Sequence, residues 1–409
     1  MSQNPQETPV PAKTLLANLA ANAYSDAWEA KKRGEKVGWC ASNFPQELTT
    51  TLGVKVVYPE NQAAAIAAKG GGLGHCEHAE GLGYSNDICA YARINLAFMD
   101  RQSCEEMNMP MPDFVLCCNN ICNCMIKWYE SISRELNIPF ILLDVPYNSE
   151  FETDDDTLEY MWAQFQYAVK QLEEITGKKW SEKRFKEVRD ISLRTSRAWL
   201  KAAGYCQCEP SPLNGFDLFN HMAVAVCARG TVEAAEAFEK LAEEYAQAAK
   251  EGASTYKGEQ KFRILFEGIA CWPYLRATSA PLKENGVNVT ATVYATAFGF
   301  LYDDNPLSMM RAYTHVPNAI SVERAARMRI DVGRRNKIDG AVIHNNRSCK
   351  LWSGIMPEID RRIQAELKIP TVTFDGDQAD PRNFSEEQYK TRIQALVEVM
   401  TENKKGKKQ

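Results

Sequence analysis

No apolar stretch of this 409-residue chain approaches the ~20 residues that cross a bilayer, so no membrane association is expected. The opening residues, with Asn4, Pro5, Glu7 and Pro9, lack the charged-then-apolar layout of a secretory signal, and a cytoplasmic location is expected. Basic charge is scarce too. The formal net charge is −5, and the one basic run is the tail Lys404-Lys405-Gly406-Lys407-Lys408, which leaves no footprint for nucleic acid. There is no Cys-x-x-Cys pair and no four-cysteine ferredoxin spacing, which speaks against a zinc ribbon and a closed electron-carrier cluster. The glycine-rich run Lys69–Gly74 lacks the Gly-Lys-Ser/Thr ending of a nucleotide loop and follows no strand, so it reads as a flexible loop.

Against these absences stand thirteen cysteines. In a reducing compartment they are not a disulfide framework, and metal binding or catalysis is the better explanation for some of them. The rest are expected to pack as small apolar side chains.

A helical pattern over Lys13–Arg33, with Leu15, Leu16, Leu19, Ala23 and Trp28 as its apolar members, opens the chain. Four short apolar runs follow, Val37–Cys40, Val54–Tyr58, Asp113–Cys117 and Pro139–Leu143, each leading through a turn into a helical pattern. Such alternation predicts a parallel sheet of β-α units. The middle of the chain repeats apolar residues at helical spacing over Asp156–Glu174, Glu182–Ala203 and Val232–Lys250. A second strand set then returns: Arg263–Phe266, Val287–Tyr294, Gly340–Ile343 and Pro370–Phe374. The third strands correspond, Phe114-Val115-Leu116 leading to Asn119-Asn120-Ile121-Cys122 as Ala341-Val342-Ile343 leads to Asn345-Asn346-Arg347-Ser348-Cys349. The fold expected is α/β, two Rossmann-like or flavodoxin-like parallel-sheet domains joined by a helical section. The divisions are an N-terminal helical segment 1–36, a first domain 37–150, the helical section 151–260 and a second domain 261–409.

Ligands of open parallel sheets bind beyond the carboxyl ends of the strands. The first sheet offers Cys40, Ser42, Glu60, Cys122 and Asp144 there, and the second offers Glu267, Cys271, Tyr294, Cys349 and Asp375. Cys122 and Cys349 each follow an Asn-Asn turn and open a helix, whose N-terminus favours the thiolate. Cys89, between a glycine-rich connection and the helix carrying Arg93, is the best source of a third thiolate. Cys76, Cys104, Cys117, Cys118, Cys124, Cys206, Cys208 and Cys227 default to packing or solvent. Three separated cysteines suggest a 4Fe–4S cluster with one iron free of protein thiolate, an open position that can act on a substrate. His75 and His78 are explained as well by a solvated helix start as by metal. The run Phe374–Pro381 reads as a turn-and-cap element, and Asn214–Phe219 as a partner contact or the start of a helix near Asp217.

The segments Gly38–Glu47, Tyr58–Asn61, Cys117–Asn123, Asn214–Phe219, Asn346–Lys350 and Asp375–Arg382 resemble the 2-hydroxyacyl-CoA dehydratase family, which is related to the benzoyl-CoA reductases. The resemblance runs from about residue 13 to residue 400. It implies a heterodimer in which a β subunit carries a second 4Fe–4S cluster, primed with one electron by an ATP-dependent iron–sulfur activator. It places the family's cluster cysteines on Cys89, Cys122 and Cys349, and the residues beside the open iron on Ser42 and Glu60. Glu60 is the candidate for proton handling, and Ser42 for a hydrogen bond to the thioester oxygen. Glu267–Arg276 and His221–Gly230 point within the family to a bulky aromatic substrate such as (R)-3-phenyllactyl-CoA, with (R)-2-hydroxyisocaproyl-CoA as the alternative.

The chemistry implied accounts for such equipment. Removing a β-hydrogen that the thioester does not acidify is beyond acid–base catalysis, which supplies ~10²–10⁴-fold. One added electron gives a ketyl radical anion that expels the hydroxyl and makes that proton removable, with the electron returned at the end. The rival readings are an electron-relay subunit, a two-electron aryl-CoA reductase subunit and, more distantly, a structural zinc protein. Cys40, Cys118 and Cys124 lie near the ligand positions, which leaves a ligand swap open.

Overall fold

The computed structural model describes residues 10–150 and 152–406. The N-terminal residues Asn4, Pro5, Glu7 and Pro9 and the tail residues Lys407 and Lys408 lie outside the described residues.

Eight strands form two separate parallel sheets. The first contains β1 Val37–Cys40, β2 Lys55–Val57, β3 Phe114–Cys118 and β4 Phe140–Leu143, in the order β2-β1-β3-β4. The second contains β5 Phe262–Glu267, β6 Val287–Ala291, β7 Gly340–Asn346 and β8 Thr371–Gly376, in the order β6-β5-β7-β8. The two orders are the same, so the likeness between the third strands reflects a shared topology. Strands β1, β3, β5 and nearly all of β7 are buried, as expected of short apolar runs covered on both faces. In each sheet the chain moves outward from its first strand and then crosses back over it. That places the topological switch point between β1 and β3, and between β5 and β7.

Between β4 and β5 the described chain forms four α-helices, Asp155–Thr176, Glu182–Gly204, Phe216–Cys227 and Val232–Glu251. Local chemistry sets several of their ends. The Asp154 carboxylate accepts from the Thr157 amide at 2.7 Å, and Ser181 and Thr231 cap the second and fourth helices. Gly177 and Gly252 terminate two of them in the left-handed conformation. The first helix, Ala12–Lys32, joins this layer, its Ala12 amide donating to Glu244 at 2.8 Å. It buries Ala12, Leu16, Tyr24, Ala27 and Ala30, while Trp28, expected on the apolar face, is exposed. No helix among the described residues is long and apolar enough to cross a membrane.

Two other expectations fail locally. The run Lys69–Gly74 is not a free loop, because the helix Gly72–Gly81 begins inside it. A Cβ on Gly72 would lie 2.3 Å from the Ala379 carbonyl, so the glycine allows this helix to seat against the turn beyond β8. Strand β6 ends at Ala291 rather than Tyr294, and the chain then tightens into the 3-10 turn Ala295–Phe298.

Glu267, expected at the cleft, is instead fully buried and paired with Arg329 at 2.6 Å. Replacing Glu267 by Gln should cost about 3–5 kcal/mol in urea denaturation, since it leaves the Arg329 guanidinium buried without a counter-charge.

Candidate active site

The carboxyl ends of both sheets and the helical layer enclose one largely apolar cavity. All five residues singled out from sequence, Ser42, Glu60, Cys89, Cys122 and Cys349, line it.

Each of the three cysteines occupies the N-cap position of a helix: Cys89 before Ala90–Arg101, Cys122 before Asn123–Leu136 and Cys349 before Lys350–Leu367. Three positive helix ends are therefore directed at one space. No capping hydrogen bond is closed by these sulfurs, although the amides of Ala92, Met125 and Trp352 favour their thiolates. Burial is the larger effect. It pushes the Cys122 and Cys349 thiols up to about 12 and Cys89 well above its ordinary value, and neighbouring thiols add to the rise. Bound cationic metal reverses that balance, because the thiolate is the ligating form.

The shell around the sulfurs is built of interlocked backbone and side-chain bonds. Gln378, beyond β8, donates to the Cys89 sulfur at 3.2 Å. The Ser348 hydroxyl accepts from the Ala90 amide at 3.0 Å, which ties the Cys89 helix to the turn before Cys349. Asp377 accepts from the amides of Ser348, Ala379 and Asp380, and Asp380 holds the buried Arg93 at 2.8 Å. The run after β8 is therefore the turn-and-cap element expected.

The donor set fits an iron–sulfur cluster. The sulfurs are soft ligands and stand around the cavity, rather than gathered within 4.8 Å as the ligands of a single ion are. A cluster, which brings its own iron and sulfide atoms, would suit ligands spaced more widely than those of one ion. Cys124 is a fourth sulfur on the wall. Cys40 and Cys118 are buried in strands and do not line the cavity.

Ser42 and Glu60 form a unit on the cavity wall. The Ser42 amide donates to one Glu60 carboxylate oxygen and the Tyr129 hydroxyl to the other, both at 2.9 Å. Glu60 sits in the first turn of the helix Pro59–Ala68 and is 8% exposed. Burial raises its pKa above the ordinary carboxylate value, while the Ser42 and Tyr129 donors restrain the rise. A carboxyl group raised in this way holds its proton more tightly than an exposed glutamate, as suits a group that takes and gives one.

Several strand-end residues are not brought to the cavity. Asp144 bonds Asn119 and Tyr160, Asp375 pairs with Arg347 near the surface, Cys271 donates to the Asp377 carbonyl, and Glu267 is in its ion pair. Tyr294 is brought in, as expected. The aromatic wall of Tyr91, Trp128, Trp272, Phe298 and Trp352 went unread in the sequence. Its members come from five separate segments, and nothing local marks them apart from core residues. The helix Phe216–Cys227 adds Met222 and Val226, and begins close to where the Asn214–Phe219 motif predicts. A Cβ on Gly215 would lie 2.1 Å from the Val289 carbonyl, which explains the glycine of that motif.

Residues 41–400 match the family described as 2-hydroxyglutaryl-CoA dehydratase, D-component. The chain belongs to this family. It is 62% identical to the (R)-phenyllactyl-CoA dehydratase alpha subunit of Clostridium sporogenes, over 97% of each chain. It is 49% identical to the (R)-2-hydroxyisocaproyl-CoA dehydratase alpha subunit of Clostridioides difficile, over 96% of this chain and 97% of the relative. It is 46% identical to the (R)-2-hydroxyglutaryl-CoA dehydratase subunit alpha of Acidaminococcus fermentans, over 98% and 100%. These relatives are hydro-lyases, and this dehydratase chain is of the same enzyme class. The resemblance drawn from the motifs is thereby borne out.

Proposed function

We propose that the chain is the substrate-binding iron–sulfur subunit of a dehydratase that converts an (R)-2-hydroxyacyl-CoA with an aromatic side chain, such as (R)-3-phenyllactyl-CoA, into the (E)-2-enoyl-CoA. Cys89, Cys122 and Cys349 would hold a 4Fe–4S cluster. When bound, that cluster supplies Lewis-acid and one-electron chemistry at the thioester. A β subunit with its own cluster and an ATP-dependent activator complete the system.

The observation that carries this reading is one cavity combining three N-capping thiols, a buried carboxyl and an aromatic wall. Glu60 would take or give the proton of the elimination at its carboxylate. Ser42 would orient the thioester oxygen, and the apolar wall would exclude water from reactive species. Glu60 is the only charged group among the described residues lining the cavity. A second carboxylate on the acyl chain would thus be buried without a cationic partner, which favours an uncharged side chain.

Two outcomes test this on the anaerobic heterodimer with reduced activator. Product analysis should find an enoyl-CoA with no net consumption of electrons, which separates a dehydratase from an aryl-CoA reductase. In competition, (R)-3-phenyllactyl-CoA should exceed (R)-2-hydroxyglutaryl-CoA in kcat/KM by at least about 100-fold, or ~2.7 kcal/mol. Equal rates would sink the substrate assignment.

A further inference from the structure

Away from the cavity, His75, Cys104 and Glu106 bring one ring nitrogen, the sulfur and a carboxylate oxygen within 4.8 Å of one another. None of the three was expected to act together. From sequence, a solvated helix start explains His75 and His78 as well as metal does. His75 is only 4% exposed, and its neighbour His78 turns away to Asp100 at 2.7 Å.

The surroundings are arranged for a ligand. The His75 Nδ1 donates to the Gly71 carbonyl at 2.9 Å, which fixes the tautomer with its lone pair on Nε2. That buried Nε2 has no hydrogen-bond partner. The Cys104 thiol donates to the Met107 carbonyl at 3.0 Å and accepts the Met107 amide at 3.3 Å, so the segment Cys104–Met107 wraps around the sulfur, and a metal would displace the thiol proton. A Cβ on Gly71 would lie 2.2 Å from the Glu106 carboxylate, so the glycine lets that flexible side chain lie close against the helix start.

We propose that His75, Cys104 and Glu106 bind a zinc ion, with water as the fourth ligand. Zinc takes imidazole, thiolate and carboxylate at 2.0–2.3 Å in a tetrahedron, which sets ligand atoms about 3.3–3.8 Å apart, a modest contraction of the spacing present. A single thiolate with one nitrogen and one oxygen donor suits zinc better than a cluster. The ion would staple the segment that follows the helix Ala90–Arg101 onto the helix Gly72–Gly81. Cys89 caps the other end of that same Ala90–Arg101 helix, so the staple would brace the cavity wall without touching substrate. The site does not depend on the dehydratase reading.

The test is metal analysis of the anaerobically purified full-length complex grown with zinc. About one zinc per chain is expected, beyond the iron. Cobalt in its place should give the thiolate charge-transfer band of a tetrahedral site, lost in Cys104→Ser. Because His75 is part of the core, Glu106→Gln, at a partly buried position, is the second variant. Zinc held at least tenfold more weakly, with iron content and the circular-dichroism spectrum unchanged, supports the site. Absence of zinc and cobalt from the wild type overturns it, as does stoichiometric zinc persisting in both Cys104→Ser and Glu106→Gln.

Discussion

Replacing Cys122, Cys89 or Cys349 singly by alanine should strip iron from the chain and take dehydratase activity to background, whereas Cys40→Ala and Cys118→Ala should keep both. The contrast follows from position. The first three sulfurs cap helices around one cavity, while Cys40 and Cys118 are locked inside β1 and β3. Cys124 is the discriminating case, because it lines the same cavity one residue into its helix. If three thiolates suffice, Cys124→Ala retains full iron and sulfide content with the absorption of the wild type. Iron lost in Cys124→Ala but retained in Cys89→Ala would move the ligand set by one cysteine, and iron lost in both would make four thiolates and close the position reserved for substrate. The readouts are iron and sulfide analysis and visible absorption under strict anaerobiosis. They separate loss of cluster from loss of turnover.

What could be read from sequence followed the range of the interactions. Strand runs such as Val37–Cys40 and the turns before Cys122 and Cys349 are local signals, and they located both sheets and two of the sulfurs. Helix Glu182–Gly204 was legible from its spacing alone. What failed was long-range. Glu267 stands at a strand end as expected, but Arg329, sixty-two positions later, draws it into the core. Asp144 is likewise taken by Asn119 and Tyr160. The glycines of Lys69–Gly74 suggested freedom, whereas Gly71 and Gly72 allow close approach to Glu106 and to the Ala379 backbone. Side chains joined only by the tertiary fold, such as Tyr91 and Trp272, carry no pattern in the sequence.

Glu60→Gln should lower kcat by about 10²–10⁴-fold while leaving iron content unchanged, the range expected when a positioned acid–base group is removed. Glutamine keeps the shape but not the charge. Both Glu60 oxygens accept hydrogen bonds, from the Ser42 amide and the Tyr129 hydroxyl, and of these two only the hydroxyl can turn to accept from an amide NH₂. The variant can thus keep its oxygen on the Ser42 amide, and the pH profile separates loss of the proton from loss of position. Burial raises the Glu60 pKa, so the wild-type rate should carry a limb above the ordinary carboxylate range, and that limb should vanish in the variant. The same shift has a sign in stability. The folded chain holds the Glu60 proton more tightly than the unfolded chain does, so its stabilising contribution is complete below the unfolded glutamate value. It is lost as pH rises through the raised one. Glu60→Gln should accordingly gain stability relative to wild type as pH increases through that window, measured by urea denaturation at a series of pH values. A variant that turned over at the wild-type rate with the same pH limb would remove Glu60 from the chemistry and leave it as a strut for Ser42.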